Sequence, residues 1–452
     1  MKILKSIFKD RGFQICLLVI ALQQILVALG TFLMGDLAAH VPTEGLSFFK
    51  AGLLLFSLVL SGSLFHVLMK YYMTVAQKGV LWKYFESYTR SNYSRPDLWR
   101  SSQAKSERHD IMMREGQDSI SSSVQFAADS VATSFNILFN TVSVILVTST
   151  VMGISIVGAG ILGLLVVHIA DKAITEGAQK EMIAQNDVNG FLAKSWDNII
   201  LGNRSTFERW TANFNALFGK SREASLQNIR VNDGVVGIAA FLTSFIVVAT
   251  VFSLIYLHQN DTAKVVALLV MLPRSMQIVM HIQVIQSYWA HWKYLLQRLE
   301  MTEKTVAYAE ELRLEDFITP EKIQVNSKNQ RITFSELDEA LANRTGRITV
   351  TGANGAGKST LLLKLKQNLS EEGFYIPSHH QLELSTATFS KSSGEVALCA
   401  LEDATKDQAR VILLDEWDAN LSKENQLKLD RVIEDLSQTK LIVEIRHHIP
   451  VV

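Results

Sequence analysis

Gly346-Arg-Ile-Thr-Val-Thr-Gly352-Ala-Asn-Gly-Ala-Gly-Lys-Ser-Thr360-Leu-Leu-Leu-Lys-Leu365 is the stretch that decides the fold. Gly346 to Thr351 is a short β-branched strand, and Leu361 to Leu365 reads as the start of a helix. Between them the spacing is GxxxxGK[ST] in strand–loop–helix context, the signature of a phosphate-binding loop. Glycines let such a loop point its N–H groups at phosphate oxygens, and the helix N-terminus adds its dipole. Gly352, Asn354, Gly355, Ala356, Gly357 and Thr360 are the expected cradle. Lys358 would neutralise the β and γ phosphates, and Ser359 would ligate Mg²⁺.

Val411-Ile-Leu-Leu414 then reads as a buried parallel strand, with Asp415 and Glu416 at its C-terminal edge, where ligands bind in such sheets. Asp415 is the second expected Mg²⁺ ligand. Glu416 is the candidate catalytic residue, placed to orient or deprotonate the water attacking the γ-phosphate. Leu441-Ile-Val-Glu-Ile445 is a further strand, followed by His447 and His448.

Working outward, the 452 residues are 48% hydrophobic and only 19% charged, against roughly 25% charged in soluble domains. Residues 1–319 hold 53 of the Asp, Glu, Lys and Arg residues and residues 320–452 hold 35, so the shorter segment is much the richer. The composition therefore predicts a membrane domain over 1–319 and a soluble domain over 320–452. Lys plus Arg equals Asp plus Glu at 44 each, which gives no argument for a nucleic-acid partner. Cys16 and Cys399, the two cysteines, lie too far apart in character and sequence to suggest a disulfide framework or a CxxC metal site.

A membrane-spanning helix needs about 20 mostly apolar residues. Phe13–Gly35, Ala51–Met69 and Gly234–Leu257 qualify, and Val265 to about Gln286 does so with an interruption expected at Pro273-Arg274. Val131–Ala170 carries no Asp, Glu, Lys or Arg over a length that suits two spans, with a hairpin expected near Gly153, Gly158 and Gly160. Six spans result, the first reading as a retained span and not a cleaved signal peptide. Lys and Arg crowd the N-terminal tail, Lys70–Gln125 and Asp171–Asp233, while the alternate loops are nearly bare. That places both termini in the cytoplasm. The two basic loops are expected as membrane helices prolonged into the cytoplasm, and His291–Glu315 as a continuation of the sixth helix ending at Pro320. Arg274 and His281, with Asn136 and Asn140, are candidate cavity-lining residues. Interhelical hydrogen bonding of the amides and snorkelling of Arg274 are the alternatives. The Met-rich, aromatic run Met276–Trp292 suits an amphipathic or peptide-like cargo, or equally a packing interface.

These residues together resemble ATP-binding cassette (ABC) transporters. The resemblance covers the whole chain in organisation but rests on three or four short motifs. It implies an α-helical membrane domain of six transmembrane helices extended into the cytoplasm, joined to an α/β P-loop NTPase domain. It also implies an ATP-driven exporter working as a homodimer, each ATP held between one copy's phosphate loop and the other's signature. Ser392-Ser393-Gly394-Glu395 is similar to that signature, with Glu395 where Gln is usual. A switch histidine is implied at His447, with His448 close behind. Trp417, after the catalytic Glu, resembles the subgroup exporting cyclic peptides and siderophores across bacterial inner membranes; simple packing is the alternative. Ser422 stands where the family has Asp. Only 36 residues separate Lys358 from Gly394, so most of a helical subdomain is missing. Ser378 replaces the expected Gln of the coupling loop, with Gln381 a displaced substitute, and Phe334 is the nearest upstream aromatic for adenine. A membrane ATPase with a regulatory role and an ATP-dependent peptide importer are the rival readings.

Overall fold

The computed structural model describes residues 2–40, 45–100, 116–192, 194–306, 313–327, 330–343, 345–377, 382–384, 393–406, 409–419 and 421–446. They form two compact units. Residues 1–87 with 111–306 make the first, and residues 88–110 with 307–452 the second.

The first unit is helical: α1 (Lys2–Lys9), α2 (Arg11–His40), α3 (Gly45–Asn92), α4 (Gly116–Val147), α5 (Thr150–Ile169), α6 (Asp171–Leu192), α7 (Arg204–Leu257) and α8 (Thr262–Val306). Among the described residues six helices are long and apolar enough to cross a membrane: α2, α3, α4, α5, α7 and α8. With 54 residues α7 is about 80 Å long at 1.5 Å per residue, far beyond a hydrocarbon core of about 30 Å. Among the described residues of the basic segments, one spanning helix runs on to Asn92 and another begins as far out as Arg204. The chain turns from α1 into α2 at Asp10, whose Oδ1 accepts from Gly12 N at 3.0 Å and whose Oδ2 pairs with Lys83 at 3.1 Å. Ile3 and Ile7 of α1 pack with Phe13, Ile20, Val80 and Ile120 in one buried cluster, so the N-terminal tail is a seated helix. A π-helical turn, Asp197–Leu201, precedes α7.

Three expectations are corrected here. The hairpin between the third and fourth spans falls at Thr148-Ser149, not at the glycines. Ser149 is the N-cap of α5 and its hydroxyl accepts from Met152 N. Gly153 and Gly163 lie within α5, where an added Cβ would collide with Ile145 and with Gln286 and Thr243; they are helix-contact positions. Pro273 does not interrupt α8, which runs through it, as membrane helices allow where neighbouring groups satisfy the freed carbonyl. Finally, α8 is described as far as Val306, and Leu314–Phe317 and Pro320–Lys322 are 3-10 turns, so the helix does not reach Glu315.

The second unit carries β1 (Ile323–Ser327), β2 (Gln330–Ile332), α9 (Phe334–Ala342), β3 (Gly346–Gly352), α10 (Lys358–Leu369), β4 (Gly373–Ile376), α11 (Ser393–Lys406), β5 (Val411–Leu414), α12 (Lys423–Ser437) and β6 (Leu441–Ile445). The sheet order is β2-β1-β3-β6-β5-β4. β3, β6, β5 and β4 are parallel, and β1 runs antiparallel to both its neighbours. Every residue of β5 and β6 is buried, as strands covered on both faces must be. One face packs Leu361, Leu362 and Leu365 of α10 against Val350, Leu413 and Val443. The other packs Ala400, Leu401 and Ala404 of α11 with Leu429 and Ile433 of α12 against Ile412 and Ile442. Phe334 opens α9 at a capping box formed by Thr333 and Glu336.

The residue 88–100 segment belongs to this unit too. Its 3-10 turn, Pro96–Arg100, packs on α10. Asp97 is fully buried there and takes two hydrogen bonds from Arg95, at 2.9 and 2.7 Å. Tyr93 Oη donates to Glu371 Oε1 at 2.9 Å.

Candidate functional site

The glycine loop leaves β3 and enters α10 through backbone that only glycine takes easily. Gly352, Gly355 and Gly357 have φ of 154°, 78° and 91°. A side chain at Gly352 would strike the carbonyl of Lys322, and one at Gly357 that of Phe317, so both positions also need glycine for close approach. Thr319 N donates to Ala356 O at 3.0 Å, pinning the preceding segment across the loop. Asn354 and Gly355 are exposed at its rim, while Ala356, Lys358 and Thr360 are buried. Lys358 Nζ donates back to Gly352 O at 2.9 Å and Ala353 O at 3.3 Å. The ammonium is thus stored within the loop it would serve.

Ser359 Oγ donates to Asp415 Oδ1 at 3.0 Å, and Tyr375 Oη donates to Asp415 Oδ2 at 2.8 Å. Asp415 follows β5, and its N–H is held by Ile376 O at 3.0 Å. Burial pushes the Asp415 carboxyl up from its usual value, with Glu416 adding to this, while the two hydroxyls and Lys358 oppose it. Burial and the same two carboxylates hold the Tyr375 phenol above its ordinary range. No group of three or more His, Cys, Asp or Glu among the described residues could hold a metal alone. A hydroxyl beside one carboxylate is nevertheless the protein share of a Mg²⁺ site completed by phosphates and water. Ser359 and Asp415 fit that donor set.

Glu416 is half-buried and has φ of 48°, a left-handed conformation uncommon outside glycine. The next residue, Trp417, is buried, and its indole N–H donates to Glu444 Oε2 at 2.9 Å. Glu444, in β6, also accepts from Arg347 at 2.9 and 3.0 Å and from Thr349 at 3.0 Å. Arg347 reaches Asp430 at 2.6 Å and Glu434 at 2.8 Å, and Arg446 pairs with Asp430 and lies 4.8 Å over the Trp417 ring. Sequence reading missed this network and the Tyr375 contact. One signal was there: a Glu inside an otherwise apolar strand, Leu441-Ile-Val-Glu-Ile445.

Gly394 and Glu395 stand in the first turn of α11, Glu395 exposed. Ser392, Ser378, Gln381, His447 and His448 lie outside the described residues. Ser422 is the N-cap of α12, its Oγ accepting from Asn425 N at 3.3 Å.

In the first unit the polar residues of the spans meet one another. Asn136 Nδ2 donates to Gln24 Oε1 at 2.7 Å, and Asn140 Nδ2 to Asn136 O at 2.9 Å. Asn140 Oδ1 accepts from Thr31 Oγ1 at 2.7 Å and Arg274 Nη2 at 2.5 Å. The two asparagines are buried, so interhelical bonding, not exposure to a cavity, is what their amides do. Arg274 and His281 are half-buried.

No family model and no curated protein matches the chain. Among solved structures, the chain is similar to a bacterial Atm1-family ABC exporter with ATP bound. The TM-score is 0.67 at 13% identity, over 97% of this chain and 92% of that one. The chain has the fold of an ABC exporter half-transporter.

Proposed function

We propose that the protein is an ATP-driven exporter that moves a peptide-like or amphipathic small molecule from the cytoplasm across the inner membrane. The observation that carries this is the 3.0 Å bond between Ser359 Oγ and Asp415 Oδ1. It brings the hydroxyl after the loop lysine against the carboxylate at the end of the neighbouring buried strand, with Glu416 next in the chain. On this reading residues 1–319 are the transmembrane domain and residues 320–452 a compact α/β P-loop NTPase domain lacking most of the helical subdomain. The exporter likeness and the six apolar helices support the membrane assignment; the Lys and Arg distribution supports cytoplasmic termini.

Gly352, Asn354, Gly355, Ala356, Gly357 and Thr360 cradle the ATP phosphates, and Lys358 leaves its loop carbonyls to meet them. Ser359 and Asp415 would hold Mg²⁺, which when bound would neutralise charge on the transferring phosphoryl group. Glu416 orients the attacking water and takes its proton. His447 contacts the γ-phosphate. Ser392, Gly394 and Glu395 complete the site of a second copy, so the working unit is a homodimer. ATP binding closes the two soluble domains and hydrolysis reopens them.

The test uses the full chain in proteoliposomes with ATP and Mg²⁺. Mg²⁺-dependent ATP turnover with ATP-dependent uptake of a labelled amphipathic peptide into inside-out vesicles is expected. Turnover without any vectorial movement would instead favour a regulatory ATPase, and no nucleotide binding would sink the assignment.

A further inference from the structure

Arg274 is a cation inside a membrane-spanning helix with no anion beside it. Residues 262 to 274 make about 18 Å of helix at 1.5 Å per residue, which carries Arg274 well into a hydrocarbon core of about 30 Å. From Thr262 to Leu299, α8 contains neither Asp nor Glu. Its two hydrogen-bond partners are neutral amide oxygens: Asn140 Oδ1 at 2.5 Å and Gln277 Oε1 at 2.6 Å. Among the described residues no carboxylate pairs with Arg274. Its buried Nε donates to nothing.

A guanidinium cannot shed its proton and has five N–H donors. Asn140 and Gln277 take two of them, leaving one on each terminal nitrogen as well as Nε. Asn140 Oδ1 is shared with Thr31, and Asn140 Nδ2 is committed to Asn136 O. The cluster therefore fixes the direction of the guanidinium without neutralising it. An ionised side chain in that medium is expensive and faces a cavity or a partner. A carboxylate accepts paired N–H bonds from a guanidinium, and Nη1 and Nη2 each keep one N–H for it.

We propose that Arg274 is the anion-recognising group of the translocation path and that the cargo presents a carboxylate to it. This rests on the exporter reading and adds the substrate class: an amphipathic acid. Asn140 and Gln277 are positioning residues that hold the guanidinium ready. The same chemistry could be met by a lipid phosphate, which the experiment separates.

The probes are a dansyl-labelled hydrophobic pentapeptide with a free C-terminal carboxylate and the same peptide as its C-terminal amide. Binding is read as anisotropy on the full-length protein in phosphatidylcholine nanodiscs, with empty nanodiscs subtracted. The acid is expected to bind roughly tenfold or more tighter than the amide. Arg274→Gln should bring the acid down to the amide's affinity, and Arg274→Lys should restore part of the difference. In nanodiscs enriched in phosphatidylglycerol the acid preference should persist. Equal affinities in the unaltered protein, or an acid preference that Arg274→Gln leaves unchanged, overturn the proposal. So does an acid preference that anionic lipid abolishes, since the lipid phosphate is then the occupant. The acid–amide comparison in the unaltered protein stands even if Arg274→Gln does not fold. ATP turnover measured on the same samples tests the exporter reading separately: its absence would count against that reading and leave the acid–amide comparison intact.

Discussion

The indole N–H of Trp417 donates to Glu444 Oε2 at 2.9 Å, tying the residue after Glu416 to the strand beside β5. Glu416 holds φ of 48°, a conformation costing roughly 1–2 kcal/mol in a non-glycine residue. Such backbone persists only where its surroundings over-determine it. Trp417 does that here, buried and bonded at one end and covered by Arg446 4.8 Å over its ring.

Trp417→Phe keeps most of the packing and removes the N–H. The expected result is a fall of about tenfold in ATP turnover with nucleotide affinity unchanged, because the lost bond, worth roughly 1.5 kcal/mol to a charged acceptor, positions Glu416 and not the phosphates. Steady-state kcat against KM, with nucleotide binding measured separately, checks it. An equal loss in binding would mean that Trp417 is packing alone.

Glu416→Gln should retain ATP binding and lower turnover by about 10²- to 10⁴-fold, the range for a general base. Single-turnover hydrolysis beside equilibrium nucleotide binding gives the answer. Unchanged turnover would remove Glu416 from catalysis.

Tyr375 holds Asp415 Oδ2 at 2.8 Å while Ser359 holds Oδ1 at 3.0 Å. Tyr375→Phe frees one oxygen of the proposed metal ligand to rotate, so the Mg²⁺ concentration giving half-maximal turnover should rise several-fold, by roughly one hydrogen bond's worth. Ser359→Ala should lose Mg²⁺-dependent nucleotide affinity outright. A Mg²⁺ titration of nucleotide binding by calorimetry reads both.

Glu444 is 1% exposed and answers Arg347 and Arg446. Removing one member of a buried charged network costs about 3–5 kcal/mol, so Glu444→Ala should lower the thermal midpoint of the sheet-bearing unit, read by differential scanning calorimetry. Burial raises the Asp430 carboxyl, but Arg347 and Arg446 outweigh it and hold it below its usual value. Its stabilising share is therefore fully present above the unfolded pKa of about 3.9 and is lost as pH falls through the lower folded value. Acid unfolding of Asp430→Asn should show a shallower dependence in that window.

Much of this was legible in the chain. Charge-free runs longer than a bilayer thickness define spans without any knowledge of partners, since each residue's transfer into lipid is a local free energy. The glycine pattern of residues 352–357 states its own backbone demands, with β3 and α10 flanking it as expected, and β5 lies where its own apolar run, Val411–Leu414, placed it. Other features were not legible. Gly153 looked like a turn residue because a missing side chain says only that something comes close, not what; Ile145 supplied the answer. Pro273 looked like a break because its cost is read locally, whereas a membrane helix meets it with its neighbours.

The sequence by itself determined six apolar stretches long enough to cross a membrane, a charge-richer strand-and-helix segment, and the loop and acidic pair proposed for ATP, all of them properties of contiguous residues. Tertiary structure alone decided which distant groups meet. Inserting β6 between β3 and β5 sets Glu444 opposite Thr349 and within reach of Trp417. Packing α2, α4 and α8 together spends Asn136 and Asn140 on one another and on Gln24 and Thr31, and leaves Arg274 with its charge unanswered. The reason is physical: hydropathy and backbone preference are settled over a few residues, while hydrogen bonds and charge pairs depend on which surfaces the completed fold brings within about 3 Å.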